Sequence, residues 1–125
     1  MHTTRLNHLD AAFLNIERPQ DPWSIHVELR PEGHIDEERL QAAIRHAQQL
    51  HPMARARLRP YGAGSQSYSW EIASEAGDVP LQVIEAASEE ALDSLRSELL
   101  SASAPLQPSP GFRLLLAHHA DGDRL

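Results

Sequence analysis

Near the start of the chain, Leu9, Ala12, Phe13 and Ile16 recur at helical spacing behind Asn7 and Asp10, either of which can cap a short helix. Pro19 and Pro22 end it. From Trp23 to Arg30 the order Trp, Ser, Ile, His, Val, Glu, Leu, Arg alternates apolar and polar, the period of a half-buried strand, and Pro31, Glu32 and Gly33 turn the chain after it. Asp36 is a good N-cap with Glu37 and Glu38 in the first turn. Behind it Leu40, Ala43, Ile44, Ala47 and Leu50 predict one apolar helix face that Pro52 stops. Ala54 to Arg59 and Ser67 to Ile72 alternate on either side of a turn at Gly62 to Ser65, a hairpin pattern. Leu81, Val83 and Ile84 suggest a short strand beyond the Gly77 and Asp78 turn. Ser88 then caps a second amphipathic helix that carries Glu89 and Glu90 early and Leu92, Leu95, Leu99 and Leu100 inward. The Ser/Pro-rich run from Ser101 to Gly111 reads as a loop that delivers the chain to an apolar strand, Phe112 to Ala117. Ala120, Asp121 and Gly122 signal a turn, and Asp123, Arg124 and Leu125 look like the start of a returning strand.

Strand, helix, strands, helix, strands is the order of an α+β sandwich with helices on one face of a mixed sheet. At 125 residues the chain is one domain or part of a larger one, with no internal repeats. A returning strand interrupted at its first apolar residue has neither partner nor ending, which leads us to expect a piece of a longer fold. Hydrophobic residues at 41% and charged residues at 23% are ordinary for a globular chain and argue against disorder. A formal net charge of -7 and a pI near 5.5 have the wrong sign for a protein held on a phosphate backbone, so nucleic acid is excluded as a partner. All 11 basic residues are Arg, which together with the Ala-rich composition suggests a GC-rich bacterial genome. With no cysteine, disulfides, thiolate metal sites and a Cys nucleophile are excluded. The N-terminus has no basic segment followed by an apolar run, and no apolar stretch approaches the roughly 18 residues of a membrane span, so a cytoplasmic protein without a transmembrane segment is expected.

His118, His119 and Asp123 are the densest chemistry in the chain, since two histidines and a carboxylate can supply a general base and the group that orients it. Neighbouring residues of a strand point to opposite faces, however, so only one histidine can serve a given site. The turn residues beside them read equally well as a surface hairpin. His2, His8, His26, His34, His46 and His51 are scattered without metal-binding spacing, and no metal is expected. Arg55, Arg57 and Arg59 alternate along one predicted strand and would share a face. That face can hold carboxylates or a phosphate-bearing ligand, or stand solvated with Glu71 as partner. No Gly-rich phosphate loop, GxSxG elbow or paired catalytic carboxylates occur.

Several segments taken in order carry a resemblance. The stretch LNHLDAAFLNIERP, followed by PWSIHVELRPEGHIDEERLQAAIRHAQQLHPMARARLR, resembles the N-terminal region of the superfamily of condensation domains and wax ester synthase/diacylglycerol acyltransferases. APLQPSPGFRLLLAHHADGDRL is similar to that family's proline-leucine loop, its PxFR strand and the hairpin before its active site, so the likeness covers almost the whole chain. The family's signature, HHxxxDG, ends the strand after this hairpin. His118 and His119 fall in the hairpin itself, and Asp123 is followed by Arg124 where the signature has glycine. The resemblance therefore implies that residues 1–125 are part of the N-terminal lobe of a chloramphenicol acetyltransferase-like fold. The signature would arrive roughly six residues beyond Leu125.

It also implies an acyl-CoA or carrier-protein thioester as donor, with no covalently bound cofactor, and a hydroxyl or amine acceptor that the second signature histidine activates. No catalytic residue is then expected in this chain, and its partner is the remainder of the same protein. By position Arg55 resembles the arginine that pairs with the signature aspartate. Ala54 stands where the family has a larger apolar residue, which leaves Arg57 as the other register. The alternatives are a degenerate active site of His119 and Asp123, or a complete non-enzymatic binding module that keeps the lobe fold and uses the Arg55/Arg57/Arg59 face or its unfinished strand to pair with a partner by β-addition.

Overall fold

A computed structural model describes residues 1–62, 67–107 and 111–125. The tip of the expected Gly62–Ser65 turn and part of the Ser101–Gly111 loop lie outside the described residues. Strand β1 (His2–Arg5) leads into helix α1 (His8–Ile16), whose first turn is closed by the Asn7 side chain accepting from the Asp10 amide at 2.7 Å. Helix α2 (Glu37–Leu50) is capped by Asp36, which accepts from the Arg39 amide at 2.8 Å, with Glu37 and Glu38 against the positive end of the helix dipole. Pro52 cannot continue it and opens a 3-10 turn, Pro52–Arg55. Strands β2 (Ala56–Pro60) and β3 (Tyr68–Ile72) then pair antiparallel with Leu58 opposite Trp70, and β1 joins the other edge of β3 with Thr4 opposite Trp70.

Strand β4 (Leu81–Glu85), helix α3 (Glu89–Leu100) and strand β5 (Leu114–His118) form a separate unit. β4 and β5 are parallel, Leu81 opposite Leu114 through Glu85 opposite His118, and α3 is the crossover that a parallel pair requires. Ser88 caps α3 by accepting from the Ala91 amide at 3.2 Å. Ala86, Leu92 and Ala117 make a buried cluster there, with Ile84, Ala91 and Leu95 packed around it. The fold is thus α+β, with the described strands divided between an antiparallel triplet and a parallel pair. No helix among the described residues is long and apolar enough to cross a membrane.

Four expectations are corrected. β1 was not anticipated, because His-Thr-Thr-Arg has no apolar alternation and owes its strand form to the edge of β3. The segment from Trp23 to Arg30 is not a strand. A strand needs a ladder, and among the described residues only Leu29 finds one, exchanging both backbone bonds with Leu125 at 2.7 and 3.0 Å. Strand β5 begins at Leu114, two positions after Phe112. The apolar helix faces also sit differently. In α1 the side carrying Leu9, Phe13 and Ile16 is exposed, in α2 the buried residues are Ile44 and Gln48 while Ala43, Ala47 and Leu50 are exposed, and in α3 Leu100 is exposed.

Candidate functional site

The hairpin that the sequence singled out is not a solvated tip. After β5 the chain turns at 119–122, with the Gly122 amide donating to the His119 carbonyl at 3.1 Å, and returns so that Arg124 and Ala117 exchange bonds at 2.8 and 2.9 Å. Gly122 has φ 111, open to glycine, and a Cβ there would stand 3.3 Å from the Pro31 carbonyl oxygen. The tip is therefore pressed against the turn before α2, where Gly33, also at positive φ, accepts from the Asp123 amide at 3.0 Å.

Asp123 is the centre of this contact. Its side chain is fully buried and accepts three bonds, from the Ile35 amide at 2.5 Å, from Nδ1 of His34 at 2.9 Å and from Nδ1 of His118 at 3.0 Å. Burial opposes its ionisation, yet the Ile35 amide and then the His34 and His118 rings outweigh that penalty and hold its pKa at about 2. The pairing of His119 with Asp123 is not made. His119 is buried on the other side of the hairpin, where its Nδ1 accepts from the Asp121 amide at 3.2 Å. His34, one of the scattered histidines, is the residue that sequence reasoning missed. It lies 89 positions from Asp123, and no local signal joins the two.

Arg55 does not belong to the arginine face. It ends the 3-10 turn ahead of β2 and its guanidinium turns to the last turn of α2, donating to the carbonyls of Gln48 and Gln49 and, through Nε, to the Ala73 carbonyl at 2.9 Å. This satisfies carbonyls that the helix end leaves without intrahelical partners and ties α2 to the end of β3. Arg57 and Arg59 do share a face, and both close on Glu71, whose side chain is covered by them. Arg59 first and Arg57 second hold the Glu71 carboxyl below its ordinary range against the opposing effect of burial. These two cations are therefore occupied by an internal carboxylate.

The remaining charged cluster is centred on Glu28. Arg96 of α3 grips it with two bonds, at 2.7 and 3.0 Å, and Arg30 adds a third at 2.8 Å. Arg96 above all draws Glu28 down to about 2, with its partial burial opposing and Arg30 adding. Around this anchor the segment from Trp23 presents Trp23, Ile25, Val27 and Leu29 to solvent, Ile25 at 94% exposure. Trp23 meets Phe13 at 5.5 Å between ring centres, and beneath them lies an open cavity of about 480 Å³ lined by Leu14, Trp70, Leu99 and Phe112 among others. Trp23, Ile25, Val27 and Leu29 thus form an exposed apolar row beside this cavity.

No family model matches the chain. Two proteins from two strains of Mycobacterium tuberculosis, each named only as an uncharacterized protein, are 31% identical to it over 123 residues, 98% of this chain and 28% of each of theirs. The chain thus spans little more than a quarter of the length of these curated relatives. Among solved structures, the condensation domain of Monacolin K polyketide synthase MokA superposes with a TM-score of 0.79 at 16% identity, covering 99% of this chain and 28% of that one. The epimerization domain from the third module of tyrocidine synthetase B gives 0.79 at 18% identity over 99% of this chain and 29% of its own. The tallysomycin biosynthesis protein TlmII gives 0.68 at 19% identity over 98% and 31%. The fold is that of a condensation-domain lobe.

Proposed function

We propose that residues 1–125 form the first part of the N-terminal lobe of an acyltransferase that moves an acyl group from a CoA or carrier-protein thioester to a hydroxyl or amine. By themselves they carry no catalysis. The observation that supports this reading is the match in fold over 99% of this chain to only 28% of a condensation domain. The exposed row Trp23, Ile25, Val27 and Leu29 is consistent with it, as a surface left for further chain to cover. In this reading the catalytic histidine belongs to an HHxxxDG signature after Leu125, and its second histidine takes the acceptor's proton as the acceptor attacks the thioester carbonyl and the thiolate leaves. Arg55, fixed between α2 and β3, is the residue we assign to the signature aspartate, while His118 and Asp123 hold the hairpin. The acceptor we favour is a hydroxyl, as in the wax ester synthase branch.

The test is the release of free thiol from acyl-CoA in the presence of a long-chain alcohol or an amine. The 125-residue protein is expected to stay at background. The protein extended through the rest of its reading frame should turn over, and alanine at its second signature histidine should lower the rate roughly 10²- to 10⁴-fold. Turnover by residues 1–125 alone, or an extended protein without the signature, would overturn the reading.

A further inference from the structure

Three segments far apart in sequence bring His34, His118 and Asp123 together, and one ligand-type atom from each lies within 4.8 Å of the other two. We propose that these residues bind a divalent transition-metal ion of the zinc class, at the junction of the hairpin with the turn before α2. Nothing in the acyl-transfer reading requires this site.

The donor set is two imidazoles and one carboxylate, which suits Zn²⁺ and its neighbours and not the oxygen-seeking Ca²⁺ or Mg²⁺. Both rings aim the same atom, Nδ1, at the carboxylate, His34 at Oδ1 and His118 at Oδ2. A cation would take the place of the two bridging protons. The 2.9 Å from His34 Nδ1 to Oδ1 is near the roughly 3.3 Å edge of a tetrahedral site with bonds of about 2.0 Å and needs only a slight opening, while His118 Nδ1, 3.0 Å from Oδ2, reaches the same carboxylate from its other oxygen. The larger adjustment is between the rings, whose centres are 6.3 Å apart. His34 can supply it, because its side chain is 65% exposed while that of His118 is 24% exposed. The same exposure leaves a fourth position open to water.

Charge favours the same conclusion. Asp123 is a fully buried carboxylate, and among the described residues no guanidinium bonds to it. The neighbouring Arg124 turns its guanidinium toward Glu28, Glu89 and the carbonyls of Gly122 and Asp123. Asp123 is thus an ionised, buried carboxylate whose two imidazole partners can serve as neutral ligands beside it, so the site offers a cation one net negative charge. The Ile35 amide bond to Oδ2 then acts as the outer contact that fixes the ligand's orientation.

The experiment is calorimetric titration of Zn²⁺ into the EDTA-treated, dialysed protein near neutral pH, repeated with Co²⁺ to read tetrahedral coordination from its visible spectrum. One equivalent should bind, and His34→Ala should weaken binding at least about tenfold. That variant removes an exposed ring and is the one expected to keep the fold. His118→Ala should do the same, while His26→Ala and His46→Ala, at exposed positions away from the site, should bind as the parent does. Absence of saturable binding at one equivalent would overturn the proposal, as would binding that survives both His34→Ala and His118→Ala.

Discussion

Replacing Asp123 with alanine removes the acceptor of three bonds at once and tests how the hairpin is held. A hydrogen bond to a charged group contributes about 1.5–3 kcal/mol, and the bonds to the Ile35 amide at 2.5 Å and to the half-buried His118 at 3.0 Å are the ones shielded from water. The bond to exposed His34 adds little. Because bonds to one carboxylate are not additive, we expect a loss of about 3 kcal/mol, a large part of the roughly 6–18 kcal/mol that a chain of this length has in total. In urea, with a slope of roughly 1–3 kcal/mol per molar, the midpoint should fall by about 1–3 M with the slope unchanged. The assay is urea unfolding followed by tryptophan fluorescence with EDTA present, at several pH values. The folded pKa of Asp123 lies below its ordinary value, at about 2, so its charge stabilises the fold fully above pH about 4 and ceases to do so as pH falls through 2. The difference between parent and Asp123→Ala must therefore shrink over that window. A loss under about 1 kcal/mol at pH 7, or a difference that does not shrink in acid, would refute this account of the junction.

Three further outcomes are expected. Glu28→Gln should speed amide exchange in the segment 24–30 and lower stability by up to about 1 kcal/mol, an effect that added salt reduces, because Arg96 and Arg30 hold that segment through one carboxylate. Exchange rates unchanged in that segment would count against the role of Glu28. Gly122→Ala should cost about 1–3 kcal/mol, since φ 111 is strained for alanine and its Cβ meets the Pro31 carbonyl at 3.3 Å; a midpoint within error of the parent's would contradict it. Asp36→Ala should cost about 1 kcal/mol through the lost cap of α2, measured as a urea midpoint, whereas Asp36→Asn should retain most of the cap.

What could be read from the sequence was what is local. The Asp36 cap, the stop at Pro52 and the Ser88 cap are set by residues a few positions apart and stand where the pattern places them, and β2 pairs with β3 as the alternation predicts, but β2 begins at Ala56 and not Ala54 because Ala54 and Arg55 belong to the 3-10 turn that Pro52 opens. Periodicity identified α1 as a helix but not which side of it packs. Leu9, Phe13 and Ile16 are apolar and exposed, while Asp10 turns in to accept from the Trp70 indole at 3.1 Å. Trp23 to Arg30 has the alternation of a strand, yet a strand is defined by its neighbour, and among the described residues only Leu29 has one. At the hairpin, His118 and Asp123 were visible as candidates, and the third member of their cluster was not. Its turn is joined to the hairpin only by the folded chain.

The separation between His34 and Asp123 also sets an order of events. Contacts between remote parts of a chain are the slow ones to form, and this junction closes a loop of 89 positions in a chain of 125. On a ribosome adding roughly 5–20 residues per second, the 89 positions between the two residues take roughly 5–20 s to appear. The helix that follows Asp36 can form within that interval from its own cap, but the turn at Gly33 and the backbone pairing of Leu29 with Leu125 must wait for the hairpin. On a nascent chain the turn at Gly33 therefore stays unfastened for seconds, while Trp23, Ile25, Val27 and Leu29 are exposed both before and after the junction closes, so a chaperone that binds extended apolar segments can reach them at either stage.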